Sequence, residues 1–393
     1  LAERRNNFYH HTTRKKLNKC RQQHVKKNVL TIQRFTQSNI NEWLTAMRQQ
    51  GDAPADAFIS LLFADSPRQA LPALHQWASE KNTPLPLMLY PEHPFWLHYQ
   101  QMPDWADKQQ LQTGRTFFRQ YAEDIMLLLG FLSLPYCYAA ADGAKVLHRT
   151  RRIVEDTRRR LAETAQFVLA VHTNDIFDLT QTQMPQAMRT LVTVRLMHAA
   201  VRYHIRRSGK WNNEQLGVPV NQEDMAGTNL AFSFIIIQGL RKTGHAIAHE
   251  QAAAFIHLWN VIGHFLGVQE QLLPADERVA ARLDRAIAQR QFRPSPEGTA
   301  LTRALIESIE ENVTASPLMQ VKGFVPAYMR FLLGDSIADL LGISAAGVPS
   351  SLFGIFQLKN LRPASAGNSA ADFQNILQRT YGKLTYRLPE RLS

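Results

Sequence analysis

Apolar residues recur along most of this chain at intervals of three and four rather than two. The stretches "LPALHQWASEKN", "VLHRTRRIVEDTRRRLAETAQFVLAVH", "QAAAFIHLWNVIGHFLG" and "RVAARLDRAIAQRQF" all carry that spacing. It gathers their apolar side chains on one face of an α-helix. Strict alternation, the mark of a half-buried strand, is scarce. Proline and glycine supply the punctuation and predict loops over 83–95, 208–220 and 292–298. "VNQEDMAG" opens a helix, with Asn221 placed to cap it and Asp224 at the third helical position. The pattern predicts an all-α, multi-helix fold without internal repeats.

The longest apolar run, "IMLLLGFLSLPYCYAAA" at 125–141, is interrupted by Gly130 and Pro135. It falls short of the about 20 apolar residues that a membrane span needs. It reads as a buried helix that breaks at Pro135 and restarts. The runs "IMLLLGFL" and "LAFSFIII" are more hydrophobic than one core face requires, so both are expected to line an apolar cavity.

Composition narrows the class. The 393 residues are 45% hydrophobic and 20% charged, the balance of a globular protein with room for a large core. The net charge of +12 is unevenly placed, because residues 1–34 hold ten Lys/Arg against one acid, Glu3. That basic lead reads as a solvated, partly frayed helix, with contact to nucleic acid or peripheral contact to an anionic membrane surface as the alternative. Its high charge and low apolar content leave it little core to share. After it come a helical segment over 35–99, a main body over 100–345 and a Gly/Ser/Ala-rich tail over 346–393, expected to wrap the surface. The body is nearly neutral, which argues against a nucleic-acid enzyme. No signal peptide opens the first thirty residues, so the expected location is cytoplasmic, and the start at Leu1 leaves room for an upstream piece. Cys20 and Cys137 are the only cysteines. They form no C-x-x-C, zinc or C-x-x-C-H haem pattern.

Three constellations carry candidate chemistry. In "VTVRLMHAAVR", His198 sits among apolar residues with Arg195 three positions before it and Arg202 four after. At roughly 100° per residue all three share one helix face. This is either a core histidine with two arginines reaching water, or a metal ligand flanked by cations. In "RRRLAETAQF", Arg160, Glu163 and Thr164 fall at i, i+3 and i+4. They form either a surface ion-pair stripe or, where the helix turns apolar, polar groups pointing into a pocket. In "GHAIAHE", His245 and His249 have the i, i+4 spacing of two helical metal ligands, with the third ligand unspecified.

Six stretches taken in order resemble the rubber-oxygenase family, which includes latex-clearing proteins and MpaB-like oxygenases. They are "GRTFFRQYAEDIMLLLGFLSLPYCYAAADGAKVL", "RIVEDTRRRLAETAQFV", "VTVRLMHAAVR", "VPVNQEDMAGTNLAFSF", "FIHLWNVIGHFLGV" and "RFLLGDSIADLLG", spanning roughly 100–345. The resemblance implies a globin-like helical core around non-covalent haem b, with His198 as the axial iron ligand and Arg160 and Thr164 as the family's distal R-x-x-x-T. Rubber-cleaving members carry lysine just before that threonine. Glu163 stands there in this chain, which counts against rubber itself as the substrate.

The implied chemistry suits the residues. A neutral imidazole is a good iron ligand, and its second nitrogen is expected on the carbonyl of Val194. Arg195 and Arg202 are expected to hold the haem propionates. Glu163 is expected to act as general base and Arg160 as a donor in a dioxygen-dependent attack on an apolar, isoprenoid- or lipid-like substrate. A haem sensor or carrier without turnover, and a non-haem metal protein using His245 and His249, remain the competing readings.

Overall fold

A computed structural model describes residues 37–65, 67–80, 84–150, 157–173, 176–179, 183–312, 322–344 and 353. The basic lead 1–34 and, apart from Phe353, the tail over 346–393 lie outside the described residues. Among these residues every regular element is helical, and the one β-bridge is an isolated pairing of Ala140 with Phe292. The α-helices begin with α1 (Gln37–Arg48), α2 (Ala53–Asp65), α3 (Pro67–Ser79), α4 (Lys108–Gln120), α5 (Ala122–Leu128) and α6 (Leu134–Tyr138). Next come α7 (Ala141–Arg149), α8 (Thr157–Val171), α9 (Gln186–Arg207), α10 (Asn213–Leu216), α11 (Gln222–Phe232) and α12 (Phe234–Lys242). The series closes with α13 (His249–Phe265), α14 (Glu277–Gln291), α15 (Pro296–Asn312), α16 (Phe324–Leu333) and α17 (Asp335–Leu340). No helix is long and apolar enough to cross a membrane among the described residues.

Local chemistry explains where several helices start. Asp107 accepts from the backbone N–H groups of Gln109 and Gln110 and opens α4. Asn221 accepts from Asp224 N–H at 2.9 Å and opens α11, as its sequence predicts. The break expected at Pro135 is not there. A π-helical segment, Leu129–Ser133, joins α5 to α6 and puts Pro135 in the first turn of α6. Leu134 N–H reaches back to Leu129 O, and this wider turn accommodates a ring that would crowd an ordinary α-turn.

α9 runs through the middle of the molecule, with α2 against one side and α8 against another. It is rich in β-branched residues such as Val192, Thr193, Val194 and Val201, which are modest helix formers. Burial along nearly its whole length supplies what propensity lacks. Ile40, Phe58 and Trp77 of the N-terminal helices share one hydrophobic cluster with Phe117, Leu196 and Phe255 of the body.

α4 and α13 approach closely at Gly114. A Cβ at Gly114 would meet Ala254 O at 2.6 Å and Leu258 Cβ at 3.0 Å. Both obstacles belong to the partner helix and neither is a flexible side-chain end. Gly114→Ala is therefore expected to destabilise the fold by about 1–3 kcal/mol. A lower denaturant midpoint with an unchanged slope would register it.

Candidate functional site: a buried cavity with an imidazole on its wall

Helical stripes line a cavity of about 290 Å³. α8 contributes Arg160, Glu163, Thr164 and Phe167, and α9 contributes Val194, Met197 and His198. α11 adds Met225, Thr228, Asn229 and Phe232, and α14 adds Asp284, Ile287, Ala288 and Gln291. Within each helix these offsets belong to one face. Tyr136, Cys137 and Tyr138 of α6 complete the wall where the chain leaves the π-turn.

His198 and the Arg160–Glu163–Thr164 face thus meet at one cavity. The Nδ1 of His198 is buried and makes no hydrogen bond, so the expected contact with Val194 O is absent. His198 is one of the residues that line the cavity. Burial, with the Arg202 charge adding to it, pushes the imidazole down to about 4. The ring is therefore neutral at physiological pH, the form that binds metals.

The α8 face forms as its spacing predicts. Glu163 is buried, and its carboxylate accepts from Arg160 Nη1 at 2.8 Å and Arg159 Nε at 3.1 Å. Thr164 Oγ1 donates to Arg160 O at 2.9 Å. Arg160 is the cation on the described cavity wall, where Glu163, Asp224 and Asp284 are the carboxylates.

Arg195 and Arg202 are placed elsewhere. Arg195 donates to both oxygens of Asp52, at 2.6 and 2.9 Å, and to Tyr99 Oη at 3.3 Å. It borders a separate polar hollow with His98 and His264. Arg202 Nε reaches Asp56 Oδ1 at 2.6 Å and its Nη1 reaches Val220 O at 3.1 Å. Neither lines the cavity that holds His198, and each already has a carboxylate partner. The Arg195–Asp52 pair also explains Gly267, whose φ is 87°. Both side chains of the pair lie where a Cβ at Gly267 would sit. Asp52→Ala would strand a guanidinium that is 3% exposed. A loss of about 3–5 kcal/mol in unfolding free energy is expected.

The histidine pair of "GHAIAHE" does not form a ligand set. His245 lies in the connection before α13, buried near Asp124, and His249 is the exposed first residue of that helix beside Glu277. No group of three or more metal-binding side chains exists among the described residues. The apolar runs are corrected too. None of residues 125–132 lines the cavity, and of 230–237 only Phe232 does. Leu128 and Leu132 instead pack into the core over Gly239, where a Cβ would meet them at 3.1 and 2.6 Å.

Tyr136 and Asp284 are among the polar residues of the cavity wall that sequence reasoning did not place there. Asp284 carried a signal, since it interrupts the stripe that runs through Ala280, Ile287 and Ala288 on α14. Tyr136 carried none.

The molecule is thus an all-α protein with a largely apolar cavity that has a neutral imidazole on its wall. The model of the family "ER-bound oxygenase mpaB/B'/Rubber oxygenase, catalytic domain" matches residues 118–354, and the chain belongs to that family. It is an oxygenase-family protein. Rubber oxygenase of Streptomyces sp. (strain K30) is 26% identical over 254 residues, 64% of this chain. The match spans 60% of that relative's length. The fold is similar to that of latex clearing protein LCP in its closed state, with a TM-score of 0.68 at 22% identity. That likeness covers 87% of this chain and 95% of the other.

Proposed function

We propose that the chain is a haem-b-dependent oxygenase, acting with dioxygen on an apolar, isoprenoid- or lipid-like substrate by oxidative cleavage of a carbon–carbon double bond. The observation that carries this reading is His198, a neutral imidazole on the wall of a largely apolar cavity whose Nδ1 has no hydrogen-bond partner among the described residues. Family membership supports the oxygenase class. The enclosing helices suit a globin-like core. The residues fit the group, since His198 would hold the iron and the apolar walls would bury the macrocycle. Arg160, the cation on the described cavity wall, would be the residue placed to meet a propionate, since Arg195 and Arg202 do not line the cavity.

When bound, haem supplies the iron centre at which dioxygen is activated. The chain's own residues do the rest. Phe167, Met197 and Phe232 exclude water and hold an apolar chain by burial, at about 25 cal/mol per Å². Arg160 and Arg159 fix the position of the Glu163 carboxylate. Glu163 then accepts an allylic proton from the substrate at one of its oxygens. Thr164, bonded to the backbone of its own helix, keeps this polar edge narrow.

An absorption spectrum of freshly purified protein tests the reading. A Soret band is expected, followed by oxygen consumption with a pool of apolar lipids. Absence of the band overturns the haem assignment. A band without oxygen uptake would favour a sensor or carrier.

A further inference from the structure

We infer that Tyr136 and Asp284 form a hydroxyl-recognition site in the cavity wall, so that the substrate is an apolar chain carrying an alcohol group. This rests on the proposed function, whose substrate class it narrows. Tyr136 Oη donates to both oxygens of Asp284, at 2.8 and 3.0 Å. The tyrosine ring is itself held edge-on against Phe292, with centroids 4.8 Å apart. Asp284 makes no ion pair among the described residues, and Tyr136 is its hydrogen-bond partner. Burial pushes its carboxyl up to about 6, so it remains largely ionised at neutral pH within an apolar wall. A half-buried carboxylate with one neutral hydrogen-bond partner is costly to keep, and such groups gather at functional sites.

The chemistry of the pair selects its ligand. A carboxylate has about four acceptor positions, and Tyr136 uses only part of them. The tyrosine proton is spent on Asp284, so the pair presents acceptors alone. A hydroxyl brings one donor and is satisfied by one contact. An ammonium group brings three donors into an otherwise apolar wall. Carbonyl and carboxylate groups bring none. Carbonyl ends produced by double-bond cleavage would therefore gain nothing here. The pair stands on α6 and α14, whereas His198 and Glu163 stand on α9 and α8. A chain anchored by its alcohol at the first wall would extend across the cavity toward the second.

Calorimetric titration of the full chain as purified, with farnesol and with its methyl ether, tests the site. The alcohol is expected to bind about ten- to a hundredfold more tightly than the ether, the range of a hydrogen bond to a charged group. Asp284→Asn should bring that ratio close to unity, because the new amide offers a donor to the ether. Tyr136→Phe should preserve the ratio, because the carboxylate acceptors stay. A ratio of affinities within one sample is insensitive to a partly folded variant. A ratio near one in the unmodified chain, or one unaffected by Asp284→Asn, overturns the inference. Discrimination without a Soret band would sink the haem reading and leave this site standing. A Soret band without discrimination would sink only the site.

Discussion

His198→Ala is expected to yield a folded protein that has lost its Soret band. No cysteine pattern provides a covalent anchor, so haem would depend on its axial bond and on burial. At metal sites, losing a second-shell partner alone costs about 10–100-fold in affinity, and losing the ligand itself should cost at least that. The fold should tolerate the change for a reason visible at the site. The imidazole Nδ1 has no hydrogen-bond partner among the described residues, so its removal strands none of their donors or acceptors there. It also borders a cavity that already exists, so truncation enlarges a void rather than opening one in close-packed core. Far-ultraviolet circular dichroism and a thermal melt, recorded beside the absorption spectrum, separate ligand loss from unfolding. Full haem occupancy with an unchanged axial signature would remove His198 from the role.

What the sequence made legible was whatever a single helix decides. Arg160, Glu163 and Thr164 share a face because offsets of three and four put them there, and the observed bonds at 2.8 and 2.9 Å join neighbours on one turn. Asn221 was legible as a cap for the same local reason. Arg195 and Arg202 show where that logic stops. They turn to carboxylate partners, Asp52 and Asp56, that lie 143 and 146 residues away in sequence, and neither lines the cavity that holds His198. Periodicity tells which side chains are neighbours, not what stands opposite them. The His245–His249 pair failed differently, because an i, i+4 rule needs one uninterrupted helix. Gly244, at φ 98°, follows the end of α12, and the next helix starts only at His249. Hydrophobicity alone also misplaced the cavity. The richest apolar runs became close-packed core over Gly239, while the cavity wall took mixed stripes that include Glu163 and Asp284.

Glu163→Gln is expected to lower turnover by about 10²–10⁴-fold while haem stays bound, if the carboxylate takes the substrate proton. Glutamine keeps the length of the side chain and one acceptor oxygen. It loses the charge, and its amide nitrogen would turn a donor toward a guanidinium that is already a donor. The stability cost should remain within about 1 kcal/mol, because the partners are partly exposed and screened. The side chains of Arg159 and Arg160 are 45% and 24% exposed and can turn to water or to the cavity. The kinetic signature separates a base from a binding residue. A base acts in the transition state, so kcat and kcat/KM should fall together, whereas loss of uniform binding would raise KM and leave kcat unchanged. Oxygen uptake under saturating and limiting substrate reads both quantities, with the Soret band as the control for occupancy. Full activity in this variant would retire Glu163 as the base and leave the oxygenase reading intact.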